Sequence, residues 1–373
     1  MKSVTEILGG AQILLNVSFD IQTVFEEYLT EEHRAFLAAL RLIEHRIPEL
    51  QTTYCGRGRI PIQNQPILRA YLAKSFFKIA TNTDLINRLK SDSSLRGICG
   101  FDSVPSPATF SRRLSLFSRL HVMEQLLQRI VREHRGGAIV GHISRDSTAI
   151  RAREKPANKK KDVADKPKPR RGRPRKGGKR PAKEQKRLAR QLKQRPGRAI
   201  RELDRSCAWG RKVNSQGTAE YWKGYKLHLD VDDMGIPITA VVTGANVHDS
   251  HAAIPMEKKT TGLVHRLYSL MDAAYDAKDI RSYIAATGGV AIIDRNKRRN
   301  AHTEPMDPAK KIRFRHRSTV ERSNAHLKDW FLPAKIMTKG YEKANFVLMT
   351  GVVCLAAVKI LQYIVLPGLA PPS

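Results

Sequence analysis

A strongly basic stretch at residues 151–198 is the feature that most constrains how this chain can fold. It holds 22 Lys+Arg against 4 Asp+Glu, a net charge of +18. Proline and glycine recur throughout residues 155–180, where large apolar side chains are nearly absent. Such a composition buries too little apolar surface to offset the entropy lost on ordering. We therefore expect a disordered basic insert at residues 151–199.

The remaining charge points to a polyanionic partner. The 373-residue chain carries 67 Lys+Arg and 35 Asp+Glu, a net charge of +32, so +14 lies outside the stretch. Such a large excess of positive charge favours nucleic acid as the partner, with an anionic membrane surface as the alternative. The four cysteines are scattered, which argues against a disulfide framework or a structural zinc site and fits a reducing cytosol.

Residues 1–135 have helical patterning. Apolar side chains recur at helical spacing over residues 66–76 and 83–95. Ser106 and Thr109 are candidate N-caps for a helix over residues 110–120.

That last helix carries two adjacent cations, Arg112 and Arg113. The residues before them resemble the start of a DNA-reading helix. A plain amphipathic helix with surface arginines is the alternative interpretation.

Beyond residue 135 the patterning changes to strands with intervening helices. An Asp233-Met-Gly235 turn indicates a hairpin. The sequence thus predicts an α/β fold, a mixed sheet with flanking helices that follows a helical domain and is interrupted after its first strand by the insert. The predicted strands cover residues 138–150, 225–231, 236–243, 263–271 and 289–293, and the predicted helices cover residues 277–286 and 316–330.

Residues 346–366 are long and apolar enough to test as a membrane span. Lys359 and Gln362 lie inside this segment, and a lysine at a membrane centre costs about 3 kcal/mol. We therefore expect residues 336–373 to form a C-terminal helix packed on the core, and no membrane partner.

Three acids are candidates for chemistry. Asp146 lies toward the end of the first predicted strand, Asp272 directly follows an apolar strand, and Glu321 lies in a helical segment. Carboxylates that converge on one sheet edge would bind two Mg²⁺ or Mn²⁺ ions. Solvated acids at strand ends are the alternative, and a zinc cluster of His248, Asp249 and His251 is a weaker one.

Cations surround the last of these acids. Arg317 precedes Glu321 by four residues and Lys328 follows it by seven, which places all three on one helical face. Arg322 adds a further charge. The pattern indicates either a surface ion pair or a metal ligand between phosphate-binding side chains.

Together these residues resemble the bacterial insertion-sequence transposases, which have a DDE catalytic core on an RNase H-like fold. The resemblance spans residues 140–330, and the helical stretch before it is similar to the domain that precedes this core. The matching motifs are Asp146-Ser-Thr148, Gly224-Tyr-Lys226, Asn246-Val-His-Asp-Ser250, Asp272-x2-Tyr-Asp276 and Phe314-x2-Arg317-x3-Glu321-x6-Lys328.

The resemblance implies a division of the chain. Residues 1–135 would bind DNA and dimerise, residues 136–150 and 200–335 would form the RNase H-like catalytic domain, and the insert would separate its two parts. It also implies a DNA transposase that cuts at the ends of an insertion sequence and joins them to target DNA. Such an enzyme would act as a homodimer on double-stranded DNA, in a bacterial cytoplasm and close to the nucleoid.

Residue by residue, the resemblance implies metal ligation by Asp146, Asp272 and Glu321, and phosphate contacts by Arg317 and Lys328. Phe314 occupies the position of a tyrosine in the family signature, so it cannot offer a hydroxyl to DNA. Asp249 either supports the site or caps the following helix.

The insert contains the tetrad Arg171-Gly-Arg173-Pro174. This is the core of an AT-hook, whose arginines enter a narrow A·T minor groove. A generic basic linker is the alternative, and either would add affinity that falls with salt. For the whole chain, the alternatives to a transposase are a non-catalytic or degenerate DNA-binding protein and an RNase H-like nuclease without strand transfer.

Overall fold

The first part of the chain is helical, as the sequence predicts. The computed structural model describes residues 29–46, 62–157, 186–213, 216–296 and 305–365. Ser106 caps its helix by accepting a hydrogen bond from the Thr109 amide, and a proline follows at the first helical position. The helices before the sheet are α1 Glu31–Glu44, α2 Asn64–Phe76, α3 Asn82–Ser91, α4 Ser93–Cys99, α5 Pro107–Arg119 and α6 Val122–Arg135.

A six-stranded mixed sheet follows, with neighbours in the order β2-β3-β1-β5-β6 and with β4 also paired to β3. The pairs of β3 with β1, β2 and β4 are antiparallel, whereas β1–β5 and β5–β6 are parallel. The predicted α/β class with a helical N-terminal region is therefore confirmed. The strands are β1 Ile139–Arg151, β2 Ala208–Val213, β3 Ala219–Val231, β4 Pro237–Gly244, β5 His265–Met271 and β6 Val290–Ile293.

Helices flank this sheet and follow it. A 3-10 turn, Arg315–Arg317, leads into α12, and a π-helical turn, Leu327–Phe331, continues it. The helices of this part are α7 Arg187–Lys193, α8 Pro196–Arg201, α9 Ser250–Thr261, α10 Lys278–Ala286, α11 Pro308–Phe314, α12 Ser318–His326 and α13 Tyr341–Ile360.

The predicted disorder of residues 151–199 is wrong for the C-terminal end of that range, from about residue 187 onward. Helices α7 and α8 lie there, and Leu188 and Leu192 pack against the apolar cluster between α9 and α10. The Lys258 ammonium donates hydrogen bonds to three carbonyls at the end of α7, at 2.7–2.9 Å. Apolar residues at helical spacing thus order this basic segment. Arg171 and Arg173 lie outside the described residues.

Helix α13 satisfies the length and hydropathy of a membrane span, but 89% of its apolar window is buried inside the protein. The Tyr341 hydroxyl donates to the Val242 carbonyl of β4 at 3.1 Å, and Phe346 packs edge-on against Tyr71 of α2. One apolar core therefore joins the helical region, the sheet and α13.

Candidate active site

Two of the three predicted acids lie side by side, Asp146 within β1 and Asp272 directly after the neighbouring strand β5. Parallel pairing places Ser144 of β1 opposite Leu270 of β5. Asp146 and Asp272 each follow two residues later, so they occupy matching positions where β5 ends. The fold thus brings together two carboxylates that are far apart in sequence.

Both carboxylates hold their protons more tightly than usual. Burial raises the pKa of Asp146 to about 6, and the negative charges of Asp272 and Asp249 act in the same direction. Burial also raises the pKa of Asp272, with a further contribution from Asp249. The positive charge of Arg317 opposes the shift at both acids. Repelling acids in a partly dry site are the arrangement that a cation stabilises.

Two polar groups beside these acids lack partners. The Tyr275 hydroxyl is fully buried among the charges of Asp249, Asp146 and Asp272, which together with burial raise its pKa. It has no hydrogen-bond partner among the described residues, and neither does the amide oxygen of Asn324. The amide nitrogen of Asn324 donates to Asp146 Oδ2 at 3.2 Å. Oxygen donors of this kind fit a hard divalent cation with bound water.

Glu321 lies apart from the two aspartates. Its side chain is 51% exposed and forms an ion pair with Arg317 one helical turn earlier. In the described ranges, no three His, Cys, Asp or Glu side chains are close enough together to hold a metal ion. The Arg317 guanidinium also lies 5.7 Å from the centre of the Phe314 ring. Phe314 therefore packs against the arginine where the signature tyrosine would supply a hydroxyl.

Lys328 lies on the π-helical turn that follows α12. Burial lowers its pKa, the nearby charge of Lys212 lowers it further, and Asp146 opposes the shift. Wide turns of this kind often mark functional sites. Arg317 and Lys328 therefore both lie within electrostatic reach of Asp146, as phosphate-binding cations at this site would.

Asp249 is held beside Asp146. It accepts hydrogen bonds from Ser147 Oγ and Lys226 Nζ, both at 2.9 Å. Burial works to raise its pKa, but the nearby His228 and Lys226 side chains and these hydrogen bonds lower it on balance. Asp249 precedes α9 without a capping hydrogen bond from its side chain. Its contacts favour the supporting role over the capping role.

A buried ion-pair network lies behind the acids and was not predicted from the sequence. The fully buried Arg145 donates to Asp230 at 2.6 and 2.7 Å and to Glu257 at 2.9 Å. Glu257 also accepts from Arg266 at 2.5 Å. The network links β1, β3, α9 and β5, so it fixes the strands that carry Asp146 and Asp272. Local sequence patterns gave no signal for it, because Asp230 and Glu257 lie 85 and 112 residues from Arg145.

Three other predicted DNA contacts, Arg322, Arg112 and Arg113, lie on helices α12 and α5. Arg322 is exposed on α12 and donates to Ser318 and Thr319. Arg112 is exposed on α5, and Arg113 donates to the Ile62 carbonyl at 3.0 Å. Both line an open cavity of about 890 Å³ in the helical region.

Paired acids at the edge of a mixed sheet, with cations in electrostatic reach, suit enzymes that transfer phosphoryl groups. A family model described as Transposase DDE domain matches residues 141–356, more than half of the chain. A second, Transposase domain (DUF772), matches residues 23–116. The chain therefore belongs to the DDE transposases, which confirms the resemblance. No curated protein and no solved structure matches it.

Proposed function

We propose that this transposase cuts DNA at the ends of an insertion sequence and joins those ends to target DNA. The observation that carries the proposal is the buried pair Asp146 and Asp272, with Arg317 and Lys328 in electrostatic reach. Paired, largely buried acids beside cations suit phosphodiester chemistry better than binding alone.

The first step is hydrolysis. A water oxygen attacks the phosphorus at the element end, and the bond to the 3′ oxygen breaks. That oxygen takes up a proton, which leaves a 3′-hydroxyl and a 5′-phosphate. Arg317 and Lys328 hold the neighbouring phosphates and offset the charge that develops on the phosphoryl oxygens.

The second step is transesterification. The released 3′-hydroxyl loses its proton and attacks a target phosphate, whose own bond to a 3′ oxygen breaks. The element strand is then joined to target DNA and a target 3′-hydroxyl is freed. One bond replaces another, so no covalent intermediate with the protein is required.

The chain offers Asp146, Asp272 and Glu321 to two Mg²⁺ or Mn²⁺ ions. Such ions supply activation of the attacking oxygen and stabilisation of the leaving one. Glu321 is paired with Arg317 in the structure. A DNA phosphate that engages Arg317 would release Glu321 toward the two aspartates.

We further propose that the protein works on double-stranded DNA as a homodimer, because two element ends must be joined together. Residues 1–135 would bind DNA and dimerise through α1–α6, with Arg112, Arg113 and Arg322 as further DNA contacts. The proposed setting is the bacterial cytoplasm, in association with the nucleoid.

Purified Asp146→Asn and Glu321→Gln variants test the chemistry on DNA that contains the element ends. Both should bind that DNA in EDTA and fail to cleave it in Mg²⁺. Wild-type cleavage by either variant would refute the assignment. Cleavage without joined products would instead favour a nuclease of the same fold, and binding without any scission would favour a degenerate DNA-binding protein.

A further inference from the structure

Strands β2 and β3 form a two-stranded antiparallel ribbon. Residues directly opposite each other in an antiparallel pair share a face. The pairs Trp209–Lys223 and Arg211–Tyr221 therefore lie on one face of the ribbon. We call this set of four residues the ribbon face.

The opposite side of the ribbon is anchored. Trp222 is buried against Gly210, where any Cβ would come within 2.3 Å of the indole ring. The Trp222 Nε1–H donates to the Tyr225 carbonyl at 3.2 Å. Because side chains alternate along a strand, seating Trp222 forces its neighbours outward.

The ribbon face combines aromatic and cationic side chains. Trp209 is 60% exposed and Tyr221 is 62% exposed. Two large aromatic rings exposed on one surface are typical of a binding site for another molecule. Arg211 and Lys223 alternate with the two rings, so the partner should offer flat apolar surfaces together with negative charge.

Strand β3 connects the ribbon to the strand that carries Asp146. Leu229 of β3 pairs with Asp146 of β1, and Lys223 of the ribbon face lies six residues earlier on β3. At about 3.3 Å per residue, the ribbon face begins roughly 20 Å along β3 from this acid. A DNA strand held at the acids would therefore reach the ribbon beyond the cut.

We propose that the ribbon face binds unpaired nucleotides of a DNA end that is held at the catalytic acids. Bases of duplex DNA are stacked on each other, so only unpaired ones can stack on Trp209 and Tyr221. Diagonal neighbours on such a ribbon lie roughly 7–8 Å apart, which allows both rings to contact one short single-stranded segment. Arg211 and Lys223 bind its phosphates. This inference rests on the proposed function, since it adds a substrate contact to the same site.

The test is binding of fluorescent DNA in EDTA, where cleavage plays no part. Three ligands are compared: a single-stranded oligonucleotide, a duplex with an unpaired end, and a blunt duplex. Trp209→Ala and Tyr221→Ala should each weaken binding of the single-stranded oligonucleotide and of the duplex with an unpaired end by about tenfold. Neither variant should change the affinity for the blunt duplex. Tyr363→Ala removes a half-exposed tyrosine that follows α13 and serves as the matched control.

A conservative variant separates stacking from folding. Trp209→Phe should keep the affinity for unpaired ends but lose the quenching of tryptophan emission that DNA causes in the wild type. Unchanged DNA binding by both alanine variants would overturn the proposal. A change in their sedimentation without a change in DNA affinity would also overturn it, because the ribbon face would then be a protein interface. Neither result would affect the Asp146→Asn cleavage test, so the two proposals fail independently.

Discussion

At the scale of single residues, the site depends on how each carboxylate is held before any substrate arrives. Asp146 is bonded by an amide from α12, and Asp249 is bonded by Ser147 and Lys226. These contacts orient acids that would otherwise repel one another. Groups that hold the residues around a metal ion commonly change affinity or activity by 10- to 100-fold when removed.

Asn324→Ala should therefore lower the cleavage rate by about tenfold or more and raise the Mg²⁺ concentration needed for half-maximal rate. The loss arises because Asp146 Oδ2 is no longer held. Asn246→Ala is the matched control, since Asn246 donates to a surface acid, Asp204, at 2.9 Å. Equal Mg²⁺ dependence in both variants would show that the Asn324 contact has no role in catalysis.

His228 should make stability sensitive to acid. Complete burial lowers its pKa from 6.5 to about 4, although Asp249 lies 3.9 Å away and opposes the shift. Its neutral form is thus favoured in the folded state. The associated stability is present above pH 6.5 and is lost as the pH falls toward 4, by an amount of the order of 3 kcal/mol.

Urea unfolding between pH 7 and pH 4.5 checks this prediction. His228→Gln keeps a polar partner for Thr243, which His228 contacts at 2.9 Å, but it cannot take up a proton in this range. The variant should lose less stability in acid than the wild type. Parallel pH profiles would contradict the prediction.

At the scale of elements, the buried network around Arg145 links β1, β3 and β5 through α9. Removing one partner of such a network leaves an uncompensated buried charge, which costs about 3–5 kcal/mol. Arg145→Met should lower the free energy of unfolding by that amount. The control is Arg198→Met, which removes an ion pair from a 71% exposed arginine and should cost less than about 1 kcal/mol. Similar losses in the two variants would show that the network does not stabilise the sheet.

Element positions followed from periodicity wherever one face of an element is apolar. The β-branched run of β4 and the capped helix α5 both lie close to their predicted ranges. Strand β2 was missed because its outward residues are aromatic and cationic, which hides the alternation. Helices α7 and α8 were missed because their leucines lie among many cations. The contacts of Asn324 and Arg145 depend on residues distant in sequence, so local patterns could not predict them.

At the scale of the whole molecule, the charge should govern affinity for DNA. Residues 158–185 hold 13 Lys+Arg against 3 Asp+Glu. Replacing those 13 cations with glutamine should weaken binding to random duplex DNA and flatten its salt dependence. The log–log slope should fall by about 0.9 for each DNA phosphate that the protein no longer neutralises. Filter binding from low to high salt measures both effects.

A shuffled version of residues 158–185 is the control for that experiment. It keeps the composition but removes the Arg171-Gly-Arg173-Pro174 tetrad. Equal affinity for A·T-rich and G·C-rich DNA, in the wild type and in the shuffled variant, would identify a generic basic linker. A selective loss on A·T-rich DNA would identify an AT-hook. An unchanged salt slope in the glutamine variant would contradict a DNA-binding role for this part of the chain.

The burial of α13 has a consequence for how the enzyme is made. The helix fills the core that the N-terminal helices share with the sheet, yet among the described α-helices and strands it is translated last. Neither part can complete its packing on the ribosome until residues 341–360 have emerged. A nascent chain that already contains Asp146, Asp272 and Glu321 therefore still lacks its complete core, and we expect the fold that positions these acids to form only after the core helix has been synthesised.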